Sequence, residues 1–442
     1  MICVSIARGR HRYVMAEHRH LVEQGAELVE LRLDYIRRAV NLKRLLTNRP
    51  SPVIATCRRE KDHGKWTKSE EERLMLLRTA IVDGADYVDL EEDIAELIPR
   101  HGKTKRIISY HNFSETPDDL PELARRLAAK DADIVKIATM ANDPHDNVRM
   151  LEMVRTAPVP TVGICMGELG TPTRLLTGRY GAPFTYATFH SERTLAPGQL
   201  SFHEMKAIYD YDRIGPETKL FGVIADPVGH SYSPRIHNAA FRATETDAAY
   251  LPFRVPRHFL AAFFEDVPEL GIRGLSVTIP HKEAVIRLLT KVDKAADAIG
   301  AVNTVIFQED GEIVGYNTDQ KAAMSSLLSA PGFKGKEHPL EGQEAIVLGA
   351  GGVARAIVYG LTKHGARVTI ASRTFSRAEE LAERFGARAV SWDERYGRRW
   401  NVIVNCTPVG MHPKVEETPF ERQYLRRGMV VFDTVYNPEN TL

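Results

Sequence analysis

The sequence is poor in the features that classify a protein fastest. Only four cysteines occur in 442 residues, and Cys3, Cys57, Cys165 and Cys406 stand far apart without C-x-x-C spacing. That distribution indicates neither a zinc knuckle nor a disulfide framework, and the thiols are expected to stay reduced in a cytoplasmic setting. Charge of one sign is missing too: 59 basic against 58 acidic residues leave a net +1, so nothing marks a nucleic-acid or membrane partner. There is no apolar run long enough to span a bilayer, and the opening ICVSI reads as a strand rather than a targeting segment. None of the 16 histidines forms H-x-x-x-H, so no metal is expected. No internal repeat or low-complexity tract appears.

What is present is ordinary globular composition, 43% hydrophobic and 26% charged, in a chain too long for one core and suited to two or three domains. In the first half, short apolar or β-branched runs recur at 2–6, 27–33, 52–57, 85–90, 105–110, 132–138, 160–165 and 184–189. Most gaps between them carry helical periodicity, as in EEERLMLLRTAIVDG and DDLPELARRLAAK. Eight strands alternating with helices predict an α/β fold, a compact (β/α)8 TIM barrel, over residues 1–213, with some connections too short for a full helix.

Chemistry in such a barrel gathers at the carboxyl ends of the strands. Glu30, Arg32 and Asp34 alternate along one face of the second strand, while Arg58, Glu91 and His111 each fall at or just past a different strand end. Lys136 interrupts the apolar run Ile134-Val135-Lys136-Ile137. A lysine there either reaches out to solvent or faces the interior, where burial and cationic neighbours would free its amine for Schiff-base chemistry. His111 alone reads equally as a structural histidine, and Glu30 with Arg32 as a simple ion pair.

Separated pieces in order, E-L-R-L-D at 30–34, T-C-R ending at Arg58, D-L-E at 89–91, S-Y-H-N-F at 109–113, V-K-I-A at 135–138, T-R-L at 173–175 and A-P-G-Q at 196–199, resemble type I 3-dehydroquinate dehydratases over about residues 1–210. The resemblance implies that Lys136 forms an imine with a substrate ketone, that His111 moves the proton, and that Glu91 orients His111. It further implies that Arg174 holds the substrate carboxylate, that Glu30, Arg32, Arg58 and Gln199 hold hydroxyls and carboxylate, and that Met166 packs on the ring. One position departs: Leu195 precedes A-P-G-Q where many relatives carry serine.

LSFHEMKAIYDYDRI reads as the closing helix of the first half, and Gly215-Pro216 marks the join to a new strand at 219–224. A second surface connection, PGFKGKEHPLEG at 331–342, divides the remainder of the chain into parts spanning 218–330 and 331–442. The latter opens with AIVLGAGGVARAIV, strand then glycine turn then helix, in the G-x-G-x-x-A form at Gly349, Gly351 and Ala354. In that context a dinucleotide site is expected, with the pyrophosphate at the helix amino terminus. The next strand ends in Ser372-Arg373-Thr374 where an NAD enzyme would place an acidic residue. Arg373, with Thr374 and Arg377, suits a 2′-phosphate, so NADP is favoured.

G-H-S-Y-S-P at 229–234, S-V-T-I-P-H-K at 276–282, G-A-V-N-T at 300–304, G-Y-N-T-D at 315–319 and N-C-T-P-V-G-M at 405–411 closely resemble shikimate dehydrogenases from about residue 219 onward. By that resemblance Ser231 and Ser233 hold the substrate carboxylate, Thr278, Asn303 and Asp319 hold hydroxyls, and Lys282, oriented by Asp319, acts at the reacting carbonyl. Gly352 and Thr407 join the cofactor site, Gly410 and Met411 border the nicotinamide, and Tyr436 adds a substrate contact from the last strand. Ser233 before Pro234 also reads as a helix N-cap. Relatives continue past Leu442 into a helix that carries a substrate-touching glutamine, so a reductase part without that helix is expected. Together the resemblances imply a two-step enzyme that makes 3-dehydroshikimate and reduces it to shikimate with NADPH. The rivals are a quinate dehydrogenase in the second half and a catalytically silent sensor of pathway intermediates.

Overall fold

A computed structural model describes residues 1–442, the side chain of Ser191 excepted. The chain separates into two compact units, Met1–Arg273 and Gly274–Leu442.

The first unit begins with β1 (Ile2–Ile6), β2 (Leu28–Arg32), β3 (Val53–Thr56), β4 (Tyr87–Glu91), β5 (Lys105–Asn112), β6 (Ile134–Met140), β7 (Thr161–Met166) and β8 (Thr185–Thr188). All neighbouring pairs are parallel and follow the order β7-β6-β5-β4-β3-β2-β1-β8. This is a near-barrel whose hydrogen-bonded ladder stops between β7 and β8. Every strand lies on a run foreseen from β-branched and apolar content. The short connections are equally plain: β4 is followed by a 3-10 turn, Glu92–Leu97, instead of a helix.

Period-two alternation sorts the interior into layers. Cys3, Leu28, Ile54, Ile107, Ile134 and Val162 form an apolar floor. Two residues further along their strands stand Ser5, Glu30, Thr56, Ser109 and Lys136, joined by Asp89, which follows Tyr87 in the same way. Two more bring Arg32, Arg58, Glu91, His111 and Met166 to the carboxyl ends. A one-residue slip in any strand would exchange this polar column for an apolar one, so the register is fixed by the floor beneath the site.

The connecting helices carry their own start signals. Ser69 and Glu72 form a reciprocal capping box ahead of the helix Glu70–Val82, and Ser201 with Glu204 does the same for Phe202–Ala207. The latter is much shorter than the run foreseen for a closing helix; a separate 3-10 turn, Tyr211–Arg213, ends that stretch. Beyond it, β9 (Lys219–Ala225) pairs in parallel with β10 (Ala248–Arg254), and the helix Ser233–Ala243 lies between them in sequence.

At the junction of the units begins β11 (Ile272–Val277). In the second unit come β12 (Lys291–Val292), β13 (Thr304–Phe307) and β14 (Ile313–Tyr316), with β13 antiparallel to both β11 and β14. Then β15 (Glu344–Leu348), β16 (Arg367–Ser372), β17 (Arg388–Ser391), β18 (Val402–Asn405) and β19 (Val430–Asp433) form a parallel sheet in the order β17-β16-β15-β18-β19. That order reverses direction at β15, the switch point where open α/β sheets bind ligands. Among the described residues, no helix is long and apolar enough to cross a membrane.

Candidate active sites

The barrel mouth holds a cavity of about 80 Å3 lined by Glu30, Arg32, Arg58, His111, Lys136, Met166, Arg174 and Gln199, all foreseen from sequence. Lys136 settles its own ambiguity: it is 7% exposed and points inward. Its Nζ donates to Asp89 Oδ2 at 2.9 Å, lies 3.5 Å from Glu30 Oε1, and sits 4.2 Å from the centre of the Tyr186 ring. The nearest charges to the amine are therefore carboxylates rather than the expected cations.

Those carboxylates are themselves anchored. Glu30 accepts from Ser5 Oγ at 2.6 Å and Thr56 Oγ1 at 2.9 Å. Burial pushes its carboxyl up, yet the charges of Lys136 and Arg32 with the Ser5 bond outweigh that and hold it low. Asp89 accepts from Arg58 Nη2 at 2.9 Å and Ser109 Oγ at 2.6 Å. Arg58 and Lys136 overcome its burial and keep it well below the usual carboxylate range. Arg32 pairs with Asp34 at 2.8 and 3.0 Å, not with Glu30.

Glu91 departs from expectation. Its two oxygens accept from Arg58 and Arg73, each at 2.9 Å, and no hydrogen bond joins it to His111 among the described residues. Arg73 explains why: it is fully buried, enters from the helix Glu70–Val82, and also donates to the Cys57 carbonyl at 2.7 Å. Glu91 thus ties Arg58 to the barrel wall. His111 keeps part of its surface open to the cavity, but burial and the nearby Arg58 and Lys136 charges drive its pKa well below the ordinary imidazole value. It is neutral at pH 7, as a proton acceptor must be.

Arg174 is 2% exposed with no carboxylate partner; Nη2 donates to the Pro197 carbonyl at 3.0 Å and Nε is unpaired. Burial without a counter-ion lowers its pKa to about 10. A buried guanidinium with spare donors at a cavity wall is built for an anion. Gln199 accepts from Leu195 N–H at 2.8 Å and Ala196 N–H at 3.3 Å, which leaves its amide nitrogen for a ligand. Asp89, Ser5, Ser109 and Tyr186 were not singled out from sequence. The signal for Asp89 existed, since it alternates with Glu91 on β4.

In the first unit Ser231 and Ser233 lie at the start of the helix Ser233–Ala243. Ser233 is the first helical residue rather than the N-cap; its N–H donates to Ser231 Oγ at 3.3 Å, and Tyr232 takes the cap position without a side-chain capping bond.

In the second unit Lys282, 8% exposed, forms a short ion pair with Asp319. Asn303 Nδ2 donates to the other Asp319 oxygen at 2.7 Å and to Thr318 Oγ1 at 2.8 Å, while its own oxygen accepts from Thr318 N–H at 3.0 Å. Thr278 closes a turn in which its carbonyl accepts from His281 N–H at 2.8 Å. Beside this cluster lies the glycine turn after β15. Gly349 has φ +106°, and a Cβ there would stand 3.0 Å from the Cys406 carbonyl oxygen, so only glycine fits. A Cβ on Gly352 would meet Lys282 Cβ at 3.0 Å and Cδ at 3.1 Å. A Cβ on Gly351 would meet nothing within 4 Å, which leaves the amino terminus of the helix Gly352–Lys363 open, and Ala354 is buried beneath it.

Ser372 Oγ accepts from Thr374 N–H at 3.3 Å; Arg373, Thr374 and Arg377 are exposed, and Arg377 reaches Glu283 at 3.2 Å. Thr407 donates to Asn405 at 2.7 Å, and Gly410 has φ +89° just before the exposed Met411. Tyr436 lies past β19 and is 66% exposed, so it belongs to no strand.

An eight-stranded near-barrel with a buried lysine at its mouth, joined to a nucleotide-type parallel sheet beside a lysine–aspartate pair, defines a multifunctional α/β enzyme, a lyase linked to an oxidoreductase. Residues 2–216 match the family model for type I 3-dehydroquinase, residues 223–305 that for the shikimate dehydrogenase substrate binding domain, and residues 345–435 that for NADP oxidoreductase coenzyme F420-dependent. The chain is 38% identical over 463 aligned residues to the chloroplastic bifunctional 3-dehydroquinate dehydratase/shikimate dehydrogenase of Arabidopsis thaliana, covering 100% of this chain and 76% of that protein. It is 41% identical over 240 residues to the shikimate dehydrogenase (NADP(+)) of Methanopyrus kandleri, and 40% over 233 to that of Methanosarcina acetivorans. These cover 52% and 50% of this chain and 81% of each relative. The chain belongs to the family of bifunctional 3-dehydroquinate dehydratase/shikimate dehydrogenases.

Proposed function

We propose that the barrel dehydrates 3-dehydroquinate to 3-dehydroshikimate through an imine on Lys136, and that residues from 218 onward reduce this product to shikimate. The observation that carries the reading is the inward, buried Lys136 between anchored carboxylates, with a neutral His111 and an unpaired Arg174 around one cavity. For Lys136 to attack the ketone its ammonium gives up a proton, and His111 is the cavity group in the right state to accept one. His111 passes that proton to the hydroxyl of the resulting adduct, whose loss as water leaves a protonated imine, an electron sink that acidifies the neighbouring carbon, and returns His111 to its neutral state. His111 then removes a proton from that carbon and gives it to the substrate hydroxyl, which leaves as water, and a water molecule hydrolyses the imine to free the enone and restore Lys136. Arg174 holds the substrate carboxylate, with Arg32, Arg58, Glu30 and Gln199 on the remaining oxygens and Met166 against the ring. Glu91 contributes by holding Arg58.

In the reductase, Ser231 and Ser233 take the substrate carboxylate, and Thr278, Asn303 and Asp319 its hydroxyls. Lys282 stabilises the oxyanion and delivers the proton, with Asp319 keeping it charged and aimed. Tyr436 adds a substrate contact. NADPH, when bound, supplies the hydride. The donors fit it: Gly349, Gly351 and Gly352, packed over Ala354, form a turn open to a pyrophosphate, Arg373, Thr374 and Arg377 face solvent beside the half-buried Ser372 where a 2′-phosphate would lie, and Thr407, Gly410 and Met411 flank the nicotinamide side. We take the functional parts as 1–213, 218–330 and 331–442. The substrates are small molecules, neither nucleic acid nor membrane is a partner, and no metal takes part. The four unpaired thiols suit a cytoplasmic location. The test supplies 3-dehydroquinate and NADPH and follows enone absorbance and NADPH together. Enone formation followed by NADPH loss is expected; no change in either signal would favour a silent sensor.

A further inference from the structure

β7 ends at Met166, on the wall of the dehydratase cavity, and the loop that follows presents Glu168 two residues later. The loop is tightly held. Gly167 has φ +83° and its N–H donates to the Pro197 carbonyl at 3.1 Å, the same oxygen that accepts from Arg174. A Cβ on Gly198 would stand 2.2 Å from the Gly167 carbonyl oxygen, so the two backbones touch. Glu168 leaves this anchored base and reaches residues of the serine-bearing segment 226–233. Its Oε1 accepts from Gly229 N–H at 3.1 Å, and its Oε2 lies 3.2 Å from Arg254 Nη1. Arg254, at the end of β10, is held from the other side by Asp226 at 2.9 Å. Gly229 lies within the turn closed by Ser231 N–H on the Val228 carbonyl at 3.0 Å, and Ser231 in turn receives Ser233 N–H. A Cβ on Gly229 would come within 3.2 Å of Glu168 Oε1.

We propose that Glu168, a residue of the dehydratase barrel, is a positioning residue for the reductase, fixing through Gly229 the turn that presents Ser231 and Ser233 to a carboxylate substrate. The inference rests on the proposed carboxylate-binding role of those serines. A charged acceptor on a backbone N–H is among the stronger hydrogen bonds, and Arg254 is what makes it tolerable here. An uncompensated carboxylate beside a subsite for an anion would repel that anion; Arg254, shared between Glu168 and Asp226, offsets part of that charge while leaving the hydrogen bond in place.

The experiment uses the full chain and three variants, Glu168→Ala, Glu168→Gln and Arg254→Met, and measures shikimate affinity, reductase KM and kcat, and dehydratase turnover. Glu168→Ala is expected to raise KM for 3-dehydroshikimate and weaken shikimate about five- to tenfold, with kcat, KM for NADPH and dehydratase turnover little changed. Glu168→Gln keeps an oxygen for Gly229 and is expected to recover most of the affinity. Arg254→Met leaves the Glu168 charge bare, so its defect is expected to shrink as salt is raised. Intact dehydratase turnover certifies the fold of each variant. Unchanged shikimate affinity in Glu168→Ala, or a loss spread equally over kcat and both KM values with lowered thermal stability, would overturn the proposal. A wild-type chain that dehydrates but does not bind shikimate would sink the reading of the serines, and this proposal with it.

Discussion

The two lysines proposed to act in catalysis are presented in contrasting ways. Lys136 belongs to a closed polar column in the barrel, where every neighbour arrives from a different strand and the register of those strands fixes the geometry. Lys282 lies in a turn after β11, steered by one carboxylate and packed against a glycine of the next substructure. The barrel site is preorganised by burial, and it costs much to disturb. The other is assembled from loops, where small backbone changes act directly on the lysine.

The largest break is at Lys136. Replacement by Ala is expected to lower dehydration at least about a thousandfold and to abolish trapping of a covalent adduct by borohydride with substrate, read by mass. Reductase turnover on added 3-dehydroshikimate should persist. The same change removes one partner of a buried pair, and even with Arg58 and Ser109 still on Asp89 a stability loss of up to about 3–5 kcal/mol is expected. Lys282→Ala is expected to cost about a hundred- to a thousandfold in reductase turnover. NADPH binding, read by fluorescence, should be nearly unchanged, and dehydration untouched. If Lys282→Ala destabilises the chain as much as Lys136→Ala, the contrast between the two sites fails.

Sequence periodicity carried the first of these regions further than the second. Each strand of the barrel was visible as a β-branched run, and its polar interruptions were the very residues that line the cavity. What escaped was pairing across strands: Asp89 as the partner of Lys136, and Arg73 as the partner of Glu91, come from positions distant in sequence and brought together by register. Arg73 reads on its own as one more solvated residue of a charged helix. In the second region the glycine turn was legible from its spacing, but the approach of Gly352 to Lys282 depends on tertiary packing that no local pattern encodes.

A smaller effect separates the sites by pH. His111 must be neutral to accept a proton, and its pKa in the folded chain is depressed by burial and by Arg58 and Lys136. The basic form therefore survives below the ordinary value of about 6.5. Dehydratase kcat/KM is expected to stay flat as pH falls from 7 to 6, with the acid limb lower still. The linked stability has the same sign: it is fully present above the unfolded value and is lost as pH falls toward the depressed folded one, because the unfolded chain binds the proton first. An acid limb centred at 6.5 would mean that His111 is not the proton acceptor or that the cavity opens to water during turnover.

The finest probe is a single methyl group. Gly352 has no φ requirement, and the G-x-G-x-x-A pattern does not demand glycine there, so the pattern alone predicts that Gly352→Ala is harmless. The contact with Lys282 predicts otherwise. A Cβ at 3.0 and 3.1 Å from the lysine stem is tighter than ordinary packing, so the stem has to shift by a few tenths of an ångström relative to Asp319. An ammonium displaced from the developing oxyanion loses part of its stabilisation, and a fall in reductase kcat of about tenfold is expected, with KM for NADPH within about twofold. Among the described residues the barrel contains no equivalent lever, because its lysine is packed by side chains from several strands rather than against a bare backbone. A Gly352→Ala chain with full kcat and weakened NADPH would assign the glycine to the cofactor alone and place the positioning of Lys282 entirely on Asp319 and the Asn303 bond behind it.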